Sequence, residues 1–522
     1  MYINKACADD GLVAEMLQTK HEKLLDAMAQ MFTDLLNASA DIPSTWAQTK
    51  LIVLFKKGDV KMPKNYRPIA IIPVMCKVFA CVLLNRMEGA VNSARMEEEM
   101  GFRPQYSCAD LVHALRMISE KSVEWRETVW IASLDLEKAF DKVLHSAVFE
   151  GLHNVGVDKV TIQAIKSLYA EQHAYVQLEP ALRSRCFSIL RGVRQGDPMS
   201  PLLFSNTVRE AMKPLKESWE RRKLGTLVGS EMGHKRISYM MFADDTTLIA
   251  KSEHALKIMM REICAALGAI GLRMNPEKCV VQTSSSRNRK TSMDVDGVEY
   301  KIVGSSVGFR VLGTVVTLNG NSDKELADRI AAGWAKFHHL LPILKKRDAN
   351  LKKRLKLFDT TVSKSVLWCC ESWALTTKQK RALRATRRAM LRRIAGSRRM
   401  ADEDYVSWIR RSTRRVEGLA ESAGAKCWQR QYIRAKWNWA EKVVRMSPDR
   451  IAYRASIWRD AEWCTSQGKS RMILRGRPGN RRRWEDDFRR YALSKRWDCW
   501  KTVAATEEWS AGTGSFIEWA SK

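Results

Sequence analysis

The chain has 522 residues, 45% of them hydrophobic, with 27 glycines and 13 prolines, a composition that builds two or three cored units and excludes a disordered protein. Eighty-nine Lys and Arg against 58 Asp and Glu leave a formal net charge of +31, which implies a polyanionic partner, nucleic acid first. Twelve cysteines are too scattered for a zinc knuckle (Cys427, Cys464 and Cys499 stand far apart and no histidine follows His339), so free and mostly buried thiols are expected.

The N-terminal residues are polar, with Lys5 and Asp9-Asp10, and carry no signal-peptide pattern. Apolar residues at Leu12, Met16, Leu24, Met28, Met31 and Leu35 predict helix, which Asp41-Ile42-Pro43-Ser44 breaks. Thr49 to Phe55 reads as a strand ending in the basic turn Lys56-Lys57-Gly58-Asp59. The longest apolar stretch, Ile69 to Leu84, is interrupted by Pro73 and Lys77, so no membrane span is expected and the protein reads as soluble and intracellular. Further strands are predicted from Ile131 to Asp135, Ala174 to Leu178 and Phe187 to Leu190. A turn-rich run, Arg191 to Pro198, then leads into a helix with Leu202, Leu203 and Val208. From about Lys324 the chain turns helical, with stripes at Leu326, Ile330, Trp334, Phe337 and Leu341, and at Leu351, Leu355, Phe358 and Val362. Beyond Lys378 arginines crowd the helices, and the last hundred residues add Trp428, Trp437, Trp439, Trp458, Trp463, Trp484, Trp497 and Trp500.

The chemistry concentrates in acids at strand ends. Asp244-Asp245 lie between Tyr239-Met240-Met241-Phe242 and Leu248-Ile249-Ala250, the pattern of a tight hairpin with two carboxylates at its tip. Alone, such a pair is an ordinary turn. Asp135, ending the apolar strand from Ile131, is the candidate third acid. Three carboxylates form a site for divalent metal, and two metals about 3.5–4 Å apart serve an in-line phosphoryl transfer. Helix capping is the plain alternative for Asp135 taken singly.

The runs Ser133-Leu134-Asp135-Leu136-Glu137-Lys138-Ala139-Phe140-Asp141, Arg194-Gln195-Gly196-Asp197-Pro198-Met199-Ser200-Pro201 and Phe242-Ala243-Asp244-Asp245 resemble, in order, motifs A, B and C of non-LTR (LINE-type) retrotransposon reverse transcriptases. Lys56 to Asp59 with Asn65-Tyr66-Arg67-Pro68-Ile69, and Gly101-Phe102-Arg103 with Ser107 and Asp110, resemble the fingers blocks. Gly271-Leu272 with Asn275 and Lys278 resembles motif D, and Val311-Leu312-Gly313 motif E. Glu371 to Thr376, Gly476-Arg477-Pro478 and Arg483-Trp484-Glu485-Asp486-Asp487 resemble the tails of RTE-like elements.

The resemblance implies an α+β right-hand polymerase with fingers and an antiparallel palm sheet, followed by an all-α basic thumb and tail. Its expected units are 1–130 (N-terminal helix and fingers), 131–320 (palm), 321–415 (thumb) and 416–522 (nucleic-acid-binding tail). It implies magnesium, with manganese possible, on Asp135, Asp244 and Asp245. Lys56 and Arg67 are expected on the triphosphate, Phe140 against a ribose 2′-OH, and Gln195 and Gly196 beside the nucleotide and template. Lys278 is expected as the acid for leaving pyrophosphate, and Leu312-Gly313 as the primer grip. Partners implied are RNA template, DNA primer or target and dNTPs, in a nuclear or cytoplasmic ribonucleoprotein; nothing indicates an oligomeric state.

For phosphate neutralisation the arginines Arg387, Arg388, Arg392, Arg393, Arg477, Arg481, Arg482 and Arg483 are expected, with Arg471 and Arg475 beside them. Trp484 is a candidate for base stacking, though most tail tryptophans read as core. Asp486-Asp487 reads as first-turn acids complementing a helix dipole. The chain opens on the fingers side of the family pattern, with no room for an endonuclease in nine residues, so a truncated copy is expected. An RNA-directed RNA polymerase is the first rival, opposed by Phe140; a non-catalytic nucleic-acid-binding remnant is the second, opposed by three intact acids.

Overall fold

Alternation of buried residues along the central strands decides how the middle of the molecule is built. In this computed structural model, which describes residues 7–521 except 20, 57, 126, 180–181, 231–232, 286 and 459–481, the central sheet has six strands. Their order is β12 (Ser292–Val295), β13 (Val298–Val303), β11 (Val280–Thr283), β3 (Trp130–Leu134), β10 (Asp245–Ala250) and β9 (Tyr239–Phe242). Side chains alternate faces along a strand. Thus Ile131, Met240 and Ile249 enter one core, while Trp130, Ala132, Leu134, Tyr239, Met241, Leu248 and Ala250 enter another. Both faces of the sheet are covered, so its strand ends are its access to solvent.

A second sheet pairs β1 (Gln48–Phe55) antiparallel with β2 (Tyr66–Ile71) and parallel with β4 (His173–Glu179). Beside β4 lie β5 (Leu182–Arg183) and β6 (Phe187–Ser188), and β6 is shorter than the predicted 187–190 strand. Two hairpins complete the β structure: β7 (Thr226–Ser230) with β8 (Gly233–Ile237), and β14 (Phe309–Val311) with β15 (Thr314–Val316). From Asp323 onward the described chain is helical. This is the α+β arrangement expected from the sequence, with sheets first and helices after.

The helices from Asp323 onward share one interior. It runs from Phe337 and Phe358 through Met390 to Trp428, Trp437 and Phe488, with the Trp437 and Trp509 rings stacked. The tail is fastened to the Cys108–Trp125 helix by buried polar bonds. Asp110 pairs with Arg450 and, at 3.7 Å, with Lys442; Glu124 pairs with Arg483 at 2.9 Å. His113 Nε2 and Ser456 Oγ are 2.8 Å apart, and because Ser456 donates to the Ala452 carbonyl, it accepts from His113. Trp484 donates its backbone N–H to Glu120 and its indole N–H to the Glu371 carbonyl, at 2.8 and 2.7 Å, and is 2% exposed. A ring so enclosed has no face for a base, which corrects the stacking expectation. Asp487 differs too: instead of simply facing a helix N-terminus, it is buried against Lys436 (2.8 Å) and Arg482. No helix among the described residues is long and apolar enough to cross a membrane.

Candidate active site

The acidic hairpin is tight because Phe242 pairs directly with Asp245, leaving Ala243-Asp244 as a two-residue turn with Ala243 at φ 58°. The free edge of β9 is taken by the segment before Gly101. Met241 N donates to the Glu98 carbonyl (2.8 Å) and Met100 N to the Met241 carbonyl (2.9 Å). Gly101 then lies on the turn itself, where a Cβ would stand 2.3 Å from Ala243 N. On the other side β10 pairs with β3, Thr246 opposite Leu134, so Asp245 and Asp135 leave the ladder side by side. Asn275 N holds the Asp135 carbonyl at 2.8 Å.

Burial, then the charges of Asp244 and Asp135, push the Asp245 carboxyl up to about 6, with Lys56 opposing. The three expected acids and Lys56 therefore share one electrostatic environment. Asp135 is engaged by Lys278, whose Nζ lies 2.9 Å from Oδ2. Among the described residues no three acidic, His or Cys side chains converge as a ready-made metal cage. The donor set nonetheless fits a hard divalent cation: three carboxylates, close enough that the charges of Asp244 and Asp135 raise Asp245.

Phe140 stacks on Phe204, centroids 4.3 Å apart, and meets the exposed Phe102 edge-on at 6.3 Å. Next to it Gln195 Nε2 donates to Asp141 Oδ1 at 3.2 Å. Burial raises the Asp141 carboxyl, while Lys138, the Gln195 bond and Arg67 pull it back. Asp141 was not singled out from sequence; its only signal is its place at the end of the motif A run. Gly196 has φ 118°, and a Cβ there would stand 2.8 Å from the Ala70 carbonyl oxygen. With Ala70 N bonded to the Gln195 carbonyl at 2.8 Å, this glycine lets β2 dock on the motif B loop. Leu312 and Gly313, at φ 47° and 77°, form the turn of the β14–β15 hairpin, and the Leu312 carbonyl accepts from Trp368 Nε1 at 2.9 Å.

The predicted arginines separate by burial. Arg387 is buried with Nη2 on the Ala425 carbonyl, Arg388 pairs with Glu417 at 2.7 Å, and Arg482 and Arg483 pair with Asp487 and Glu124. Arg387, Arg482 and Arg483 are spent inside the fold, whereas Arg388 and its partner Glu417 stay partly exposed, a surface pair that a phosphate can displace. Arg392 lies over the Trp408 ring (5.8 Å) and Arg393, exposed, over Trp334 (4.8 Å). Arg477 and Arg481 lie outside the described residues, as do Lys57, Trp463, Arg471 and Arg475.

Residues 55–316, half of the chain, match the family described as reverse transcriptase (RNA-dependent DNA polymerase). The chain belongs to that family. It is 27% identical over 326 residues to the retrovirus-related Pol polyprotein from type-1 retrotransposable element R2 of Popillia japonica, covering 60% of this chain and 43% of the relative. It is 21% identical over 408 residues to the RNA-directed DNA polymerase from mobile element jockey of Drosophila melanogaster, covering 76% and 42%. The chain thus spans less than half the length of these curated relatives. They agree with the non-LTR resemblance seen in its motifs. Among solved structures, apo telomerase from Candida tropicalis superposes with a TM-score of 0.41 at 12% identity, covering 84% of this chain and 74% of that one.

Proposed function

We propose that this chain is the polymerase portion of an RTE-like non-LTR element, extending a DNA primer 3′-OH with dNTPs on an RNA template. The juxtaposition of Asp135, Asp244 and Asp245 beside the Phe140–Gln195–Asp141 cluster is the observation that carries it. Lys56, close enough to act on Asp245, and Arg67, close enough to act on Asp141, hold the triphosphate, the arginine through its planar fork. Phe140, backed by Phe204, closes the sugar pocket to a 2′-OH. Lys278 leaves Asp135 and gives a proton to the departing pyrophosphate. Magnesium or manganese, when bound by Asp135, Asp244 and Asp245, supplies charge stabilisation at the attacking and leaving oxygens. Leu312-Gly313 grips the primer strand, and the element's RNA with a nicked DNA end are the partners, as target-primed synthesis requires.

Primer extension on an RNA template tests this directly. Wild type extends with dNTPs and not with NTPs, and Asp244→Asn/Asp245→Asn does neither. A wild type that is folded yet inert on every primed template overturns the enzymatic reading and leaves the binding remnant.

A further inference from the structure

Three consecutive glutamates, Glu97-Glu98-Glu99, stand just before Gly101, and their side chains have no part in the site described above. Each finds a different partner. Glu97 accepts from Arg103 Nη2 at 3.1 Å and from the Tyr106 hydroxyl at 2.6 Å. Glu98 is 1% exposed and pairs with Lys216 Nζ at 2.7 Å, with Lys235 Nζ 3.7 Å away. Glu99, also buried, accepts from Met96 N at 3.3 Å and feels the charges of Arg209 and Arg95. Lys216 belongs to the helix Ser200–Arg221, which follows the motif B loop, and Lys235 to β8.

A buried ion pair is weak evidence for stability, because desolvation offsets the attraction; its best-attested use is to fix one arrangement among several. Position is what this segment needs. It lies on β9 through Met241 N on the Glu98 carbonyl and Met100 N on the Met241 carbonyl, two backbone bonds that carry no side-chain information. The same residue that takes the first of these bonds is the one whose carboxylate reaches out to a helix and a hairpin. Three residues on, Gly101 leaves no slack: even a Cβ would stand 2.3 Å from Ala243 N, so a shift along β9 drives Met100 or Phe102 toward the turn. Without Glu98 the two lysines, 15% and 26% exposed, turn to water at little cost, so the loss falls on position more than on stability.

We propose that Glu98 is a positioning residue of the polymerase site: its carboxylate, tied to Lys216 and Lys235, holds segment 98–101 on β9 and so sets where Asp244 and Asp245 stand. The inference rests on the polymerase reading above. It ties the helix behind the motif B loop to the acidic turn, two parts that the motifs leave separate. Neither Glu98 nor Lys216 is among the groups that hold the nucleotide, so the effect falls on the chemical step and not on nucleotide affinity.

The test is steady-state primer extension on an RNA template by the full chain, together with hydrogen exchange read by mass spectrometry. Glu98→Gln and Lys216→Met are each expected to lower kcat about tenfold while the KM for dNTP stays within about twofold. Lys216→Arg, which keeps the charge, is expected to retain most of the wild-type kcat. Glu98→Gln/Lys216→Met is expected to fall no further than Glu98→Gln, because one tie is lost only once. In Glu98→Gln, exchange of peptides covering Met100 and Met241 is expected to quicken about tenfold, while the Cys108–Trp125 helix exchanges as in wild type. Glu262→Gln, which breaks the pair with Arg222 just past the end of the Ser200–Arg221 helix, is expected to change neither kcat nor exchange at Met241. Glu98→Gln with wild-type kcat, a loss carried by KM alone, or Lys216→Arg as impaired as Lys216→Met overturns the proposal. So does exchange that quickens throughout the chain, or a Glu262→Gln that loses as much, since Glu98 then serves general stability only. A folded wild type inert on every primed template refutes the polymerase reading itself, whereas an active wild type with unaffected variants refutes the positioning role alone.

Discussion

Gly101→Ala is the sharpest probe of how the acidic turn is held. Gly101 sits in the ordinary half of backbone space, so alanine brings no torsional penalty of its own; what it brings is a methyl group 2.3 Å from Ala243 N. Heavy atoms in comfortable contact stand about 3.5 Å apart, so the segment or the turn must move by about 1 Å. Overpacking of this kind costs about 1–3 kcal/mol of stability, which a chain of this size withstands. The larger effect falls on chemistry, because the displaced atom precedes Asp244 and Asp245, and a misplacement of ~1 Å costs about 10²-fold in rate. Steady-state primer extension on RNA is expected to show that loss in kcat, with the circular dichroism spectrum unchanged. Adding Ala243→Gly relieves the φ of 58° without restoring activity, because the struck atom is a backbone nitrogen. A Gly101→Ala protein extending primer at the wild-type rate refutes the placement of this segment over the turn.

Three further outcomes follow, two from buried groups and one from the sugar pocket. His113 is enclosed between Trp439 and Trp484, and burial, then Arg116 and Lys436, lower its pKa to about 3. Its neutral form is therefore the folded one: the stability it contributes is complete above pH 6.5 and is lost as pH falls toward 3, at up to about 1.4 kcal/mol per pH unit. Thermal unfolding that is flat from pH 7.5 to 5 in wild type, or unaltered by His113→Asn, contradicts this. Asp487→Ala strands Lys436 and Arg482 in the core and is expected to cost about 3–5 kcal/mol in urea unfolding, whereas Lys436→Met/Asp487→Leu costs less; equal losses refute a buried pair. Phe140→Val is expected to raise NTP incorporation relative to dNTP on the same primed template, and an unchanged ratio removes Phe140 from the sugar pocket.

The acids were legible because their signals are local. A period-2 apolar run ending in Asp135 and another folding back at Asp244-Asp245 specify strands and a turn within a dozen residues, and the order of the motifs specifies which strands are neighbours. The arginines were not legible, because burial of a charge depends on partners distant in sequence. Arg483 finds Glu124, and Arg450 finds Asp110, hundreds of positions away. From sequence, Arg387 and Arg393 look alike on one basic helix, yet one is enclosed and the other faces solvent.

By itself, then, the sequence determined the polymerase class, the acidic turn and the helical, basic character of the second half, all of which are written in short-range pattern and motif order. Tertiary structure alone decided that Gly101 and Gly196 are contact glycines, that the described tryptophans of the tail are core fastened to the Cys108–Trp125 helix, and which arginines are enclosed in ion pairs. The physical reason is common to all three: close approach, burial and charge pairing are properties of residues that meet only once the chain has folded.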